Sequence, residues 1–336
     1  CLDISLAYFK TTYHRLNISF DHYTGESFYF EMLDGVRNRL ELAGILQSSQ
    51  NALGVELGEP LGFARVFTPD GRSLYLTRDI AAAEYRKQTF RFGKAVYVVG
   101  APQTLHFQQL KGVLKALGHE WEEQMVHVPF GTVLGMKTRG EGEIVELNDL
   151  LDEAFEEALT SYREQVQKRP EGLDEKAVAE AVALAALVFG MVSRNRLKDV
   201  QFSWKHALEF QGDTGPYLLY AYARINGIRD RALAAGITPA PTLTVSLLLD
   251  DNSYSLVSVL GKFTETIQHT IEENEPSYLA GYALELAKSF SKAYLELKVL
   301  GEEPALASNR LGLFLATQEV LGVCIDLLGM SRLERM

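Results

Sequence analysis

Two valine-rich segments on either side of a helical segment constrain the fold of this chain more than any other feature. Ala95–Val99 and Met125–Phe130 are short apolar runs bounded by glycine and proline, as buried strands are. Between them, Gln103–Leu117 carries apolar residues at helical spacing, and Gly118 follows as a typical helix end. This order predicts a βαβ unit of a parallel sheet. Ligands of such sheets bind beyond the carboxyl ends of the strands, so we expect chemistry at Gly100–Gln103 and after the second strand.

Helical character dominates the chain from about Leu147 onward. The clearest stripe has apolar side chains at helical spacing and comprises Val178, Val182, Ala185, Phe189 and Val192. A chain of 336 residues exceeds what one core usually organises, and 47% hydrophobic residues suffice for two cores. The sequence therefore predicts an α/β domain followed by a helical domain.

The composition limits the compartment and the partners. A net charge of -11 argues against indiscriminate nucleic-acid binding. Two basic clusters are local exceptions: Arg194, Arg196 and Lys198, and Arg224, Arg229 and Arg231. Each cluster suits an RNA-binding stripe or, more commonly, a solvated helix face. The sequence has no long apolar run and no signal-peptide pattern, so it does not predict a membrane partner. Two cysteines are too few for a disulfide framework or a zinc site.

Ser73–Ala83 places Tyr75 four residues before Asp79, with a run of alanines behind it. A carboxylate beside an aromatic ring suits a guanidinium ligand, because the planar fork makes bidentate bonds and its face stacks on rings. The alternative is that Asp79 caps the helix that the alanines form, which is the commoner arrangement for such a spacing.

Gly135–Gly140 places Lys137 and Arg139 in a glycine-flanked loop after a predicted strand. Two cations on such a loop suit a clamp that closes over a triphosphate and stabilises the departing pyrophosphate. A basic surface hairpin is the alternative, and it is the commoner one for a short segment of this kind.

Phe210–Arg224 begins with turn residues and then sets Tyr217, Tyr220 and Arg224 on one helix face. Aromatic rings beside an arginine can stack on unpaired bases. The alternative is that the tyrosines are half-buried packing, while Ala221, Ile225 and Ile228 form a separate face of core character. The assignment of Ala221, Ile225 and Ile228 to the core depends on their helical spacing.

These three segments occur in the order and approximate spacing found in arginyl-tRNA synthetases. The similarity extends to the segments Leu16–Tyr29, Tyr97–Leu110, Val128–Ala154, Phe189–Arg224 and Arg310–Met336. The chain resembles the C-terminal part of a class I arginyl-tRNA synthetase over nearly its whole length. The resemblance implies a partial Rossmann-type α/β catalytic domain followed by an all-α anticodon-binding helical bundle. It places the catalytic half at 1–146, a helical connecting region at 147–204 and the anticodon-binding domain at 205–336.

The resemblance also implies roles for individual residues. Arginine would be held by Asp79 at the guanidinium and by Tyr75 and Gln103 along the pocket, with His106 near the nucleotide. The nucleotide loop, of the Lys-Met-Ser-Lys-Ser type, would comprise Gly135, Met136, Lys137 and Thr138, with Lys137 and Arg139 as catalytic cations. The loop departs from that consensus and keeps only a Met-Lys-Thr-Arg core, so the resemblance supports the position of the loop better than the role of each cation. The residues implied to bind tRNA are Tyr217, Tyr220, Arg224 and Met336.

The implied activity is that of an arginine–tRNA ligase, which uses ATP, Mg²⁺, L-arginine and tRNA(Arg). We expect a monomer without a membrane partner, in the cytoplasm or alternatively in a mitochondrion or other organelle. The family's His-Ile-Gly-His motif does not occur here, and the chain begins with Cys1, so we expect a fragment that is inactive alone. The alternatives are a non-catalytic tRNA-binding or interaction protein derived from a truncated synthetase, and another class I synthetase.

Overall fold

The computed structural model describes residues 2–49, 51–134, 146–165, 172–201 and 203–336. The chain divides into two compact units. The α/β unit is Phe20–Thr132, and the helical unit comprises Cys1–Ser19 and Val133–Met336. Each unit has an apolar core of its own.

The helices and strands are numbered in chain order. The helices are α1 (Leu2–Arg15), α2 (Leu33–Leu42), α3 (Tyr75–Phe90), α4 (Thr104–Ala116), α5 (Leu147–Gln165), α6 (Glu175–Val192), α7 (Trp204–Ala207), α8 (Gly215–Ala234), α9 (Asp251–Gly261), α10 (Phe263–Glu273), α11 (Pro276–Glu296) and α12 (Pro304–Leu327). The strands are β1 (Gln47–Ser49), β2 (Ala52–Glu56), β3 (Phe63–Phe67), β4 (Ala95–Gly100), β5 (Met125–Phe130), β6 (Val133–Leu134) and β7 (Val200–Gln201). Short 3-10 turns lie at Glu26–Met32, Ala101–Gln103, Glu120–Gln124 and Val245–Leu247.

The predicted βαβ unit is present in the α/β unit. Strands β4 and β5 pair in parallel, with Ala95 opposite Met125 and Gly100 opposite Phe130, and α4 connects them. A separate antiparallel sheet has the order β1-β2-β3. The loop after β4 and the start of α4 therefore lie at the carboxyl edge of a parallel pair, where ligands of such sheets bind.

Helix α3 packs against β3 and α4 through small side chains. Ala81, Ala82 and Ala83 are buried, so the alanine run forms a contact surface rather than an exposed one. On β4, by contrast, Val96 and Val98 are 45% and 65% exposed. Strands of parallel sheets are normally covered on both faces. Strand β4 departs from this rule, because the face that carries Val96 and Val98 is open to solvent.

The helical unit is built around α6, α8, α11 and α12. The predicted stripe on α6 is confirmed at four of its five positions, because Val178, Val182, Ala185 and Phe189 are buried, while Val192 is half-buried. The start of α8 packs closely on α6: a Cβ at Gly215 would lie 2.1 Å from the carbonyl oxygen of Ala185. Glycine is therefore the residue that permits this approach.

Helix α8 begins as its sequence predicts. Thr214 caps it by accepting a hydrogen bond from the backbone N–H of Tyr217 at 3.2 Å, and Pro216 occupies the first turn. The predicted core face is confirmed by the burial of Ala221, Ile225 and Ile228. None of the described helices is both long enough and apolar enough to cross a membrane.

Candidate functional site

Asp79 lies in the second turn of α3, which begins at Tyr75. The start of the helix is fixed instead by Thr77, whose Oγ1 accepts a hydrogen bond from the backbone N–H of Leu74 at 3.2 Å. The same hydroxyl donates to the carbonyl oxygen of Val66 on β3. The interpretation of Asp79 as a helix cap is therefore wrong, because the N-cap position is Leu74 and Asp79 lies inside the helix, where its carboxylate is available for other partners.

The Asp79 carboxylate meets an imidazole from the next helix. Nε2 of His106, in the first turn of α4, lies 2.6 Å from Oδ2 of Asp79. The two side chains are 25% and 40% exposed, respectively. The pair lies beyond the carboxyl end of β4, as expected for a ligand site. The structure thus places His106 directly against the residue implied to bind the guanidinium.

Tyr75 and a neighbouring arginine form the second part of this site. The Tyr75 side chain is largely exposed, and its ring centre lies 5.5 Å from the guanidinium carbon of Arg78. Arg78 also lies 5.7 Å from the ring centre of Phe30 and forms an ion pair with Glu26. Arg78 and Glu26 were not predicted from the sequence. Glu26 falls in one of the segments that carry the resemblance, and Arg78 precedes Asp79.

Tyr97 on β4 is half-buried close to this site. Burial raises the pKa of Tyr97, and the negative charge of Asp79 raises it further, while Arg86 opposes both effects. The Arg86 guanidinium carbon lies 5.5 Å from the Tyr97 ring. Tyr97 therefore remains a neutral phenol at physiological pH. Gln103, which is exposed, ends the 3-10 turn that follows β4, three residues before His106.

The implied nucleotide loop cannot be described in the same way. Its residues Gly135, Met136, Lys137, Thr138 and Arg139 lie outside the described residues.

Three of the four residues implied to bind tRNA come together in the helical unit. Tyr220, Arg224 and Met336 line a cavity of about 390 Å³. The Arg224 guanidinium carbon lies 4.4 Å from the ring centre of Tyr220 and 5.0 Å from that of Tyr294 on α11. Arg335 also lines the cavity. Tyr294 and Arg335 were not predicted as tRNA-binding residues from the sequence, because the helical spacing within α8 does not show which side chains of other segments pack beside that helix.

Tyr217 is not part of this cavity. Its hydroxyl donates to Oγ of Ser291 on α11 at 2.9 Å, and the ring packs against the core of the helical unit. Tyr217 is therefore a packing residue in this structure, as the alternative interpretation of the tyrosines predicted. Tyr220, on the same helix, lines the cavity instead.

In one of the basic clusters, a half-buried arginine pairs with a buried carboxylate. The guanidinium of Arg196 and its backbone N–H both bind Oε2 of Glu275 at 3.2 Å. Only 3% of the Glu275 side chain is exposed. Burial raises the pKa of Glu275, but hydrogen bonds from Ser277 and Arg196 outweigh burial and hold that pKa below its ordinary value. Arg196 is thus engaged inside the unit rather than on a solvated face.

Comparison with known families covers both units. A family model described as the catalytic domain of class I (R) tRNA synthetases matches residues 1–204. A second, described as the DALR anticodon-binding domain, matches residues 218–336. A parallel βαβ unit followed by a helical bundle, with these two matches, defines a chain of the class I aminoacyl-tRNA synthetase type.

Individual relatives narrow the family. The chain is similar to the curated arginine–tRNA ligases of Halothermothrix orenii (37% identity) and Clostridium beijerinckii (40% identity), in each case over 99% of the chain and 59% of the relative. It also superimposes on a crystal structure of arginyl-tRNA synthetase from Plasmodium falciparum with a TM-score of 0.86 and 25% identity, over 100% of this chain and 57% of that one. The chain belongs to the arginyl-tRNA synthetase family of class I.

These matches confirm the resemblance and the fold class that the sequence predicted. The chain spans 59% of the length of the two curated relatives. The domain boundaries at 146/147 and 204/205 and the individual site residues stay predictions.

Proposed function

We propose that this chain takes part in arginine–tRNA ligation. In the first step a carboxylate oxygen of arginine attacks the α-phosphorus of ATP, forming arginyl adenylate and releasing pyrophosphate. In the second step a hydroxyl of the terminal ribose at the 3′ end of tRNA(Arg) attacks the arginyl carbonyl, and AMP leaves. The observation that carries the proposal is the Asp79 carboxylate, one turn after Tyr75 on α3, in contact with His106 at the start of the helix that follows β4. The names of the relatives in the family support the same activity.

The arginine end of the site depends on Asp79. One of its oxygens contacts His106, and a carboxylate has further lone pairs for a guanidinium N–H. The exposed ring of Tyr75 supplies an aromatic face of the kind on which guanidinium groups stack. We assign Gln103 to the same pocket because it ends the turn that follows β4.

The ATP end combines His106 with the loop residues Gly135, Met136, Lys137 and Thr138. Lys137 and Arg139 are assigned to stabilise charge on the departing pyrophosphate. Mg²⁺ enters with ATP as part of the substrate, held largely by phosphates and water. These assignments rest on the resemblance of the loop segment to the family.

The tRNA end is assigned to the cavity in the helical unit. The Arg224 guanidinium lies over the ring of Tyr220 and over that of Tyr294, and unpaired bases bind aromatic surfaces of this kind by stacking. Met336 adds an apolar wall. We assign Tyr217 to a supporting role, since its hydroxyl holds α8 against α11. The match to a DALR anticodon-binding domain supports an anticodon base as the occupant.

We further propose that the protein works as a monomer in the cytoplasm, with an organelle as the alternative compartment. Two cysteines, one of them the buried Cys324, fit a reducing compartment. Sedimentation of the purified protein with and without tRNA tests the monomer.

The decisive experiment is aminoacylation by the complete gene product that contains this chain. Transfer of radiolabelled arginine, and of no other amino acid, to tRNA(Arg) is the expected result. A gene product that binds tRNA(Arg) without charging it would support the alternative, a non-catalytic tRNA-binding protein derived from a synthetase. Charging with another amino acid would overturn the assignment of the pocket.

A further inference from the structure

The α/β unit contains two imidazole–carboxylate pairs of similar geometry. His106 contacts Asp79 at 2.6 Å, and Nε2 of His119 lies 2.9 Å from Oε1 of Glu84. Their imidazoles are 25% and 27% exposed. Glu84 is also bound by the guanidinium of Arg39, so its two oxygens have internal partners. Asp79 differs from Glu84 in two respects. Its contact with the imidazole is made by Oδ2 alone, and its side chain is 40% exposed, compared with 15% for Glu84.

The position of His106 is fixed by packed neighbours on α4 and β5. It lies in the first turn of α4, next to the buried Phe107, whose ring is perpendicular to its own. Phe107 in turn stacks on the ring of His127 of β5 with centres 4.6 Å apart. His127 is fixed by a 3.0 Å hydrogen bond from Nε2 to the carbonyl oxygen of Val99. The imidazole of His106 is thus set by the βαβ unit itself.

Asp79 lacks comparable support from its own helix. Its carboxylate is 40% exposed in the second turn of α3, and a short side chain in that environment has rotamer freedom. An ionised carboxylate only accepts hydrogen bonds, so Nε2 of His106 is the donor in the pair. The bond therefore orders the carboxylate before a ligand arrives, which reduces the entropy lost on binding.

We propose that His106 is a positioning residue that holds Oδ2 of Asp79 and thereby presents Oδ1 to the guanidinium of the substrate. The proposal rests on the proposed arginine pocket and deepens it. It moves the main role of His106 from the nucleotide to the amino-acid side of the site. Two nearby groups complete the surroundings of the carboxylate: Tyr97 remains neutral, and the Arg78 charge is engaged by Glu26. Among the described residues, His106 is the hydrogen-bond donor to which we assign the orientation of the Asp79 oxygens.

The test compares variants in the complete gene product by the dissociation constant for arginine. His106→Leu removes the donor and is expected to weaken arginine binding roughly tenfold, as for the loss of a hydrogen bond to a charged group. His106→Gln keeps an N–H donor at a similar reach and is expected to restore most of the affinity. His119→Leu is the matched control, because it breaks the other imidazole–carboxylate pair. It is expected to leave arginine binding unchanged.

A double-mutant comparison separates this proposal from the proposed function. If His106 acts through Asp79, His106→Leu adds no further loss in an Asp79→Asn background. An equal loss in both backgrounds would overturn the positioning role while leaving the arginine pocket intact, as would unchanged binding in His106→Leu alone. If Asp79→Asn itself does not weaken arginine binding, or the parent protein does not bind arginine, the proposed function fails and this inference fails with it.

A measurement on the unaltered protein covers the case in which His106→Leu does not fold. In imidazole ¹⁵N spectra, the Nε2–H of His106 is expected to show the same hydrogen-bonded shift before and after addition of arginine. Loss of that shift on arginine binding would mean that the ligand displaces His106, which would overturn the proposal.

Discussion

The central guanidinium carbon of Arg224 lies 4.4 Å from the ring centre of Tyr220, which precedes it by one turn on the same helix. The ring of Tyr294, on α11, approaches the same guanidinium at 5.0 Å. A cation between two aromatic rings gains electrostatic attraction from both ring faces. The arrangement holds all three side chains in place at the edge of one cavity, which is the surface that we propose to stack on a base.

The first prediction concerns this surface. Tyr220→Leu is expected to weaken tRNA(Arg) binding by about 1–3 kcal/mol, because a base loses its stacking partner. The loss should be similar at two salt concentrations, since no charge is removed. Filter binding measures it. Lys292→Ala is the control, because it removes a positive charge from an exposed position on α11 outside the cavity. Equal binding by Tyr220→Leu and the parent would remove the cavity from the tRNA-binding surface.

The second prediction concerns Asp79. Asp79→Asn is expected to raise the KM for arginine and to cost about 2–5 kcal/mol of transition-state binding, because the guanidinium loses its charged partner. The value should fall toward the lower end, since the carboxylate is 40% exposed. Arginine-dependent pyrophosphate exchange by the complete gene product gives both KM and kcat. Unchanged values for both would show that the guanidinium is bound elsewhere.

The third prediction concerns Lys137 and Arg139. Replacing either by alanine is expected to lower kcat for adenylation with little change in the KM for arginine, because the cations act on charge that develops as pyrophosphate leaves. Presteady-state adenylate formation measures the effect directly. Full activity in both variants would make the loop an ordinary surface hairpin.

Local periodicity was sufficient to predict the βαβ unit and the buried face of α6, because each depends on neighbours within one segment. Contacts between segments that are distant in the sequence could not be predicted from local periodicity. His106 lies 27 residues from Asp79, and no spacing rule joins a position on α3 to one on α4. Likewise, Tyr217 and Tyr220 share a helix face by spacing, but the position of α11 decides that the first binds Ser291 and the second lines the cavity.

The capping interpretation of Asp79 failed for a related reason. The alanine run correctly indicated a helix, but the helix starts at Tyr75, five residues earlier than a cap at Asp79 requires. Its start depends on Thr77, whose hydroxyl binds both Leu74 of the same segment and Val66 of β3. A tertiary contact thus sets the helix boundary and, with it, the freedom of Asp79 to bind a ligand.

The fourth prediction concerns the buried Glu275–Arg196 pair. The pKa of Glu275 is lower in the folded protein than in the unfolded chain, where a glutamate has a pKa of about 4.3. Its contribution to stability is therefore fully present above that value and is lost as the pH falls through the folded pKa. Glu275→Gln is expected to destabilise the protein by about 3 kcal/mol at pH 7, because Arg196 loses its partner.

Urea unfolding between pH 3 and pH 7 checks this pair. The difference between Glu275→Gln and the parent should shrink as the pH falls below about 4. Glu285→Gln serves as the control, because Glu285 forms a pair with Lys262 in which both side chains are about half exposed. It should change stability by less than about 1 kcal/mol. A constant difference for Glu275→Gln at every pH would contradict the electrostatic explanation.

The last prediction concerns the 336-residue chain expressed by itself. It is expected to form no arginyl adenylate but to bind tRNA(Arg) weakly through its helical unit. The physical reason lies in the parallel pair β4 and β5, which supplies one wall of a nucleotide crevice, while Val96 and Val98 leave one face of β4 uncovered. Reactants held by one wall are not positioned for attack, and positioning supplies a large part of such rate accelerations.

Pyrophosphate exchange in the presence of tRNA, run beside filter binding at two salt concentrations, tests both parts. The helical unit has its own core and the stacked cavity of Tyr220, Arg224 and Tyr294, so RNA affinity should persist without catalysis and fall as salt rises. Tyr220→Leu in the same chain should reduce that affinity further, which links it to the cavity rather than to general charge attraction. Robust exchange by the chain alone would show that both walls of the crevice are present in it. Undetectable tRNA binding at low salt would mean that the helical unit does not bind tRNA on its own.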